Sequence, residues 1–156
     1  MKRFLVFTLC KELFAFNVGY AVEVLSEKPV KRVPELPDFI SGLVDVRGDM
    51  VPVVDMRQRF GMSKGDSRKR KRFLIVRTSL GRIALIVDEV LSIVDMSQEK
   101  VKKPPMLFRG ISKKYLEGLY KIGELMYIVL NIEEILTSEE KIILERANVA
   151  LKGKRA

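Results

Sequence analysis

The sequence predicts an all-β protein made of two similar five-stranded units, and three observations carry that prediction. First, short apolar or alternating runs recur along the chain and are divided by Gly, Pro, Asp and Ser, the pattern of strands joined by turns. Second, the chain matches itself. At an offset of 76, Gly42-Leu43 aligns with Gly118-Leu119, Met50 with Met126, Val53-Val54 with Val129-Leu130, Asp55 with Asn131 and Phe60 with Leu136. At an offset of 69, Ala15-Phe16 aligns with Ala84-Leu85, Val18 with Val87, and Val22-Glu23-Val24-Leu25 with Leu91-Ser92-Ile93-Val94. Two gap-free matches in the order A–B–A′–B′ point to a duplicated unit. Third, 156 residues make one domain, or two very small ones. A single five-stranded unit is near the lower size limit for an independent core, so two are expected to share one and leave a groove between them.

The elements follow in order from local chemistry. Phe4–Leu9 is an apolar run and reads as a strand. Leu13–Val18 and Ala21–Leu25 are the next two, with Gly19 at the bend between them. Val30–Val33 is short, and Pro34 and Pro37 interrupt the chain. Asp38-Phe39-Ile40 is expected to form one helical turn capped by Asp38. Gly42–Val46 and Met50–Val54 flank Arg47-Gly48-Asp49, with Gly48-Asp49 as a tight hairpin turn. Asp55–Phe60 reads as a short helix ended by Gly61. Residues 61–71 have Met62 as their one apolar residue and are expected to be an exposed loop. Strands resume at Arg72–Thr78, Arg82–Val87 and Val90–Asp95. Residues 96–114 are basic and irregular, with Pro104 and Pro105. Tyr115–Ile122 and Leu125–Leu130 form a hairpin around Gly123-Glu124. Asn131 caps a short helix to Leu136, and a last helix runs to about Leu151, its start lacking a capping box read from Ser138. The division expected is one domain, 1–156, with a first unit at 14–64, a second at 70–136, a C-terminal helix at 137–151 and a basic tail at 152–156.

Composition excludes much chemistry. There is no His and a single Cys, Cys10. Ser–His and Cys–His nucleophile pairs, His metal sites, Cys-rich zinc sites and internal disulfides are therefore excluded. No GxGxxG or GxxxxGK[ST] loop is present. Asp45, Asp49 and Asp55 lie near one another, but Asp49 falls in a turn and Asp55 reads as a helix cap. Cys10 is expected to be a small buried hydrophobe. No catalytic residue, metal ligand or cofactor site is assigned. No apolar run approaches the ~18 residues of a membrane span. The start, Met1-Lys2-Arg3 before Phe4–Cys10, has the look of a signal segment but stops at Lys11-Glu12, so a buried strand and a cytoplasmic address are expected.

The net charge of +9 is concentrated. Residues 64–72 hold six cations against Asp66, and the tail holds Lys152, Lys154 and Arg155. Few aromatics interleave this run, so a nucleic-acid interface is the alternative and a solvated loop the expectation. Arg47 is the remaining oddity: an Arg at the end of an apolar strand, before Gly48, carrying a five-donor fork suited to interfaces.

The stretch Val33-Pro34-Glu35-Leu36-Pro37-Asp38-Phe39-Ile40-Ser41-Gly42-Leu43-Val44-Asp45-Val46-Arg47-Gly48, followed by Val51-Pro52-Val53-Val54-Asp55-Met56-Arg57, resembles the CheW family of chemotaxis coupling proteins. The family pattern is roughly VP-x-x-P-x-F-(I/V)-x-G-(V/I)-x-N-L-R-G and then (I/V)-P-(I/V)-(V/I)-D-L-R. The likeness covers about residues 3–145 and needs no gap from 14 to 60. It implies two SH3-like five-stranded β-barrels with short helices and a C-terminal helix, without catalytic activity or cofactor. It implies a scaffold that bridges the regulatory domain of the CheA histidine kinase and the cytoplasmic tip of methyl-accepting chemoreceptors, packing in rings with other CheW copies. Such a protein is cytoplasmic and reaches membrane-attached arrays only through receptors; no nucleic-acid partner is implied.

Carried over residue by residue, the resemblance implies a receptor-binding set of Arg47, Glu23, Gly42, Val46, Gly48, Ile93 and Leu91. Glu23 would orient Arg47. Val87 also matches an apolar groove position, though plain core is the better expectation for it. Ala21, Val44 and Val53 are assigned to the kinase-binding side. The family's N-L-R-G reads Asp45-Val46-Arg47-Gly48 here, which puts a negative charge two residues before Arg47. The 64–72 run is more basic than the family's. From Met1, 156 residues leave no room for a kinase or receiver domain, so a stand-alone coupler is expected over the kinase's own regulatory domain or a coupler–receiver fusion.

Overall fold

A computed structural model describes residues 1–34, 36, 38–62, 70–137, 139–143 and 145–146. The strands, in chain order, are β1 (Lys2–Leu9), β2 (Glu12–Asn17), β3 (Ala21–Ser26), β4 (Ile40–Val46), β5 (Asp49–Asp55), β6 (Arg72–Thr78), β7 (Gly81–Val87), β8 (Glu89–Met96), β9 (Leu107–Phe108), β10 (Ile111–Ser112), β11 (Leu116–Ile122) and β12 (Leu125–Leu130). A short helix, α1 (Met56–Arg59), follows β5, and Asp55 caps it by accepting from the backbone N–H groups of Arg57 and Gln58. Single 3₁₀ turns lie at Val18–Tyr20, Gln98–Lys100, Lys113–Tyr115 and Ile132–Glu134.

The two five-stranded sheets have equivalent strand orders. Sheet one runs β11-β12-β2-β1-β8, and sheet two runs β4-β5-β7-β6-β3. Each has one parallel joint, β12 on β2 and β5 on β7, and the rest are antiparallel. The internal repeat is therefore structural: Val53 pairs with Ala84 in one sheet as Val129 pairs with Ala15 in the other. The bulges repeat as well. The β3–β6 ladder skips Val22, and the β8–β1 ladder skips Leu91, its counterpart at offset 69. The sheets curl in the SH3-like manner, but they are open rather than the closed barrels expected. Isolated bridges, Lys31 to Leu43 and Lys102 to Leu119, stitch the curls.

The division at 14–64 and 70–136 does not coincide with the sheets. Sheet two is the continuous segment 21–87, and sheet one combines 2–17 with 89–130. The cause is local. Asn17 accepts a 2.9 Å hydrogen bond from the Gly19 N–H and tightens the chain into a 3₁₀ turn, so β3 leaves β2 and pairs with β6. Both copies of the repeat are split between the sheets, β2 from β3 and β7 from β8, and β1 takes in sheet one the place that β6 takes in sheet two.

The strands β1 and β6 explain the shared core. Phe4–Phe7 and Phe73–Val76 are buried throughout, because both faces of each strand are covered. One face of each sheet meets the other sheet: Phe7, Phe14 and Phe16 pack with Leu74, Val76 and Leu85. Stacked rings continue this layer, Phe7 on Phe14 at 5.4 Å and Phe14 on Phe60 at 5.8 Å. Each buried Phe contributes ~2–3 kcal/mol. The other faces line the inside of each curl, with Phe4, Val6, Ala15 and Val129 in one and Val44, Val46, Val53 and Ile75 in the other.

Gly42 and Gly118 serve these curls. A Cβ on either would collide with a backbone carbonyl, that of Lys31 or that of Lys102, where the bridging segment crosses the strand. Other expectations shift. The β4–β5 turn is Arg47-Gly48, not Gly48-Asp49, since Asp49 already pairs with Val46. Asp38-Phe39 forms a turn rather than a helical segment, and Phe39 is buried against the shared core. The 96–114 segment contains the β9–β10 ribbon. Tyr115 ends a 3₁₀ turn before its strand. The C-terminal helix, present at 139–143 and 145–146, has a capping box after all: Thr137 and Glu140 exchange side-chain bonds to each other's backbone N–H. Residues 63–69 of the basic loop and the 152–156 tail lie outside the described residues.

Candidate functional site

The β4–β5 hairpin presents Arg47 at its tip. Arg47 and Gly48 both have positive φ, 53° and 87°, the requirement of a two-residue turn that matches strand twist. Gly48 adopts this freely; Arg47 does so at a cost of order 1–2 kcal/mol. Asp45 locks the turn by accepting from the Gly48 N–H at 2.8 Å, and Lys28 Nζ donates to the Asp45 carbonyl at 2.8 Å. Asp45, the departure from the family pattern, is thus a turn residue rather than a partner of the guanidinium.

Arg47 instead reaches Glu23 on β3, with Nη2 2.9 Å from Oε2. The pair is asymmetric: the Arg47 side chain is 77% exposed and that of Glu23 16%. Glu23 is a recessed anchor and Arg47 lies over it, its remaining donors open to a partner. The second Glu23 oxygen, Oε1, is buried without a hydrogen-bond partner among the described residues. Val46 is buried beneath the turn, and Gly42 lies four residues before it on β4 at the close crossing with Lys31.

Beside Glu23, the edge strand β3 exposes Val22 and Val24, and the edge strand β8 exposes Leu91 and Ile93. These are equivalent positions of the two sheets. The repeat at offset 69 already linked them, and it is the signal by which Val22 and Val24 were recoverable from the sequence. Val87 is fully buried in the shared core, as expected for it. The kinase-side set is placed differently from a contact surface. Val44 and Val53 are buried inside the curl of sheet two, and Ala21 is half-buried against the shared core. The reason is alternation: Val44 and Val53 fall on the inward positions of their strands.

Two charged clusters were not visible in the sequence. Arg57, at the start of α1, donates to Asp88 Oδ2 at 2.6 Å and to Cys10 Sγ at 2.8 Å. Lys71 Nζ donates to Asp88 Oδ1 at 2.9 Å, and the Cys10 N–H donates to Asp88 Oδ2 at 2.8 Å. Cys10 is thus a half-buried turn residue in a polar cluster, not the buried hydrophobe expected. Burial opposes ionisation of Asp88, but the bonds from Arg57, Lys71 and Cys10 outweigh it and hold its carboxyl below the usual range. Burial likewise works against the Arg57 charge, and Asp88 overcomes it, raising the guanidinium. The second cluster is a fork-to-fork pair, Arg59 with Glu140, at 2.7 and 2.8 Å. The Arg59 guanidinium also lies 4.1 Å from the Phe39 ring centre and 4.9 Å from that of Tyr115. Both clusters join segments distant in sequence, so no local motif announces them.

Among the described residues, no helix is long and apolar enough to cross a membrane. The chain is similar to several characterised proteins. It is 29% identical over 149 residues to the chemotaxis protein CheW of Klebsiella aerogenes, covering 96% of this chain and 89% of that one. It is 25% identical over 138 residues to the chemotaxis protein CheW of Treponema pallidum, covering 86% and 81%. The crystal structure of the scaffolding protein TtCheW from Thermoanaerobacter tengcongensis superposes with a TM-score of 0.80 at 29% identity, over 89% of this chain and 90% of that one. The family model of the CheW-like domain matches residues 3–140. With that match spanning both sheets and the Arg47 hairpin, the chain belongs to the CheW-like domain family.

Proposed function

We propose that this chain is a non-catalytic chemotaxis adaptor, coupling the regulatory domain of a CheA-type histidine kinase to the cytoplasmic tip of methyl-accepting chemoreceptors. The observation that carries the site is the broken symmetry between the sheets. At the positions equivalent to Arg47 and Glu23, sheet one has Gly123 and Ser92. The fold is built there without the ion pair, so the pair serves something other than the fold. An exposed pair of this kind adds little stability. An Arg fork over a recessed carboxylate, on a molecule whose edge strands expose Val22, Val24, Leu91 and Ile93, suits a helical hairpin with an apolar stripe and an acceptor.

The kinase-facing side is assigned to sheet two, with Ala21 at the rim and Val44 and Val53 shaping the strands from beneath. Other copies of the chain would join the same rings, and the working place is the cytoplasmic side of receptor arrays. Array avidity would supplement individually weak contacts.

The test is calorimetric titration against both partners from the same genome, at two salt concentrations. Saturable binding to each is expected. Absence of binding by a folded sample would overturn the reading, and titration with nucleic acid would then be the next measurement.

A further inference from the structure

Sheet two is an open curl whose two edge strands are β3 and β4. Three ties close the seam between them, at every second residue of β4. Leu43 exchanges both backbone hydrogen bonds with Lys31, at 2.7 and 2.8 Å. The Asp45 carbonyl accepts from Lys28 Nζ at 2.8 Å. The Arg47 guanidinium donates to Glu23 at 2.9 Å. Residues two apart in a strand turn their backbone groups to the same edge. The Lys28 ammonium therefore takes the place that a backbone N–H would hold if the Lys31 bridge ran on as a ladder.

The neighbours of Lys28 place it for this. Pro29 follows it and biases its backbone to the extended region. Glu27 precedes it and accepts from the Lys71 N–H, while Lys71 Nζ donates to Asp88, the residue between β7 and β8. The donor thus hangs from a fixed point, and its target lies two residues before Arg47. Asp45 passes the constraint on. Its carbonyl holds Lys28, and its carboxylate holds the Gly48 N–H at 2.8 Å, so one residue ties the seam to the turn. Arg47 needs that tie, since its φ of 53° is a conformation that a residue with a side chain leaves readily.

Sheet one is built differently here. Its bridge, Lys102 with Leu119, is the same. Three residues before that bridge stands Glu99, where Lys28 stands before Lys31, and a carboxylate has no proton to donate. Lys121 and Glu124 stand where Asp45 and Gly48 do. A curl of this kind forms without the clasp, and the clasp belongs to the copy that carries Arg47. An exposed tie also adds little to stability.

We propose that Lys28 is a positioning residue for the Arg47 site: its ammonium, through the Asp45 carbonyl, holds the hairpin tip in the conformation that lays the Arg47 fork over Glu23. The purpose of the clasp rests on the coupling reading above. A partner acceptor then meets a preset fork, and binding is spared the cost of ordering it.

The test compares the wild type, Lys28→Met, Arg47→Gly and the double variant. Lys28→Met keeps the apolar stem and removes the ammonium. Calorimetric titration with the receptor tip should show its Kd raised by about three- to tenfold with the melting curve unmoved, because the competent fraction falls. In the Arg47→Gly background the same change should shift Kd by less than about 1.5-fold, since no fork is left to position. On the free chain, NMR exchange of the Gly48 amide should quicken by about threefold or more in Lys28→Met. Equal losses in both backgrounds overturn the proposal, because Lys28 then touches the receptor itself. An unchanged Kd in Lys28→Met, with the wild type binding, overturns it too. If the wild type does not bind the receptor tip, the coupling reading falls and the free chain decides the clasp: Gly48 exchange that ignores Lys28→Met overturns it, and faster exchange supports it.

Discussion

Sheet one and sheet two are two versions of one design. They share strand order, the parallel joint, the bulge at Val22 or Leu91 and the glycine at 42 or 118. They differ at the hairpin tip, where sheet two has Arg47 over Glu23 and sheet one has Gly123 and Ser92. What the copies share is what a curled five-stranded sheet requires. What one copy alone carries is open to another use, and the comparison separates the residues a curled sheet requires from those it does not.

The largest expected effect tests the shared part. Gly42→Ala should cost about 3–4 kcal/mol, from overpacking against the Lys31 carbonyl plus a positive φ. Gly118→Ala meets the Lys102 carbonyl without that φ and should cost about 2 kcal/mol. Urea denaturation of both variants measures this; a negligible loss in either would refute the close crossing there, and equal losses would remove the positive φ from the account.

The joint between the sheets comes next. Asp88→Asn leaves Arg57 and Lys71 without their carboxylate and should cost about 2–3 kcal/mol at pH 7, less than a fully buried pair because Asp88 is partly exposed. The pH dependence follows from the same cluster. The Asp88 carboxyl is lowered in the folded state, so its contribution is present above the unfolded value near 3.9 and lost as pH falls through the folded one. Glu140 behaves alike: burial opposes its charge, but the Thr137 N–H and Arg59 outweigh that. Glu117 is pushed up by burial despite the pull of Lys2 and works in the opposite sense. Stability of the wild type measured against Asp88→Asn between about pH 6 and 2 should show the gap close in acid. A gap that stays constant would remove the ionised Asp88 from the account.

Arg47→Glu acts on the part that is not shared. It should weaken receptor binding by about 1–2 kcal/mol, with the melting curve nearly unmoved. Unchanged affinity would take Arg47 out of the site.

The smallest effect sharpens the comparison most. Arg47→Gly makes the tip of sheet two more like that of sheet one. Relief of the positive φ and loss of an exposed ion pair nearly cancel, so stability should stay within about 0.5 kcal/mol. Receptor affinity should fall nonetheless. Calorimetry and thermal melts on one preparation test both halves of that statement.

Much of the fold was legible because strands are written locally. Alternation, turn residues and the two self-matches located most strands, and Arg47 with Glu23 followed from the family likeness. The sheet membership was not legible. The turn at Val18–Tyr20 sends β3 away from β2, and nothing short of pairing shows whether a strand continues its sheet or leaves it. Val44 and Val53 looked like surface candidates because an apolar residue reads alike on either face until register is known. The Thr137–Glu140 capping box was missed by looking one residue late, at Ser138.

By itself the sequence determined the class of the protein: β strands, a duplication, no nucleophile–histidine chemistry, and an Arg at a hairpin tip. These are properties of residue type and spacing, and residue type and spacing are complete in one dimension. The tertiary structure alone decided which strands share a sheet, which valines face inward, and that Arg57, Asp88, Lys71 and Cys10 meet. Those outcomes depend on hydrogen-bonded pairing and charge contacts between segments tens of residues apart, where the free energy is set by what packs together rather than by what is adjacent.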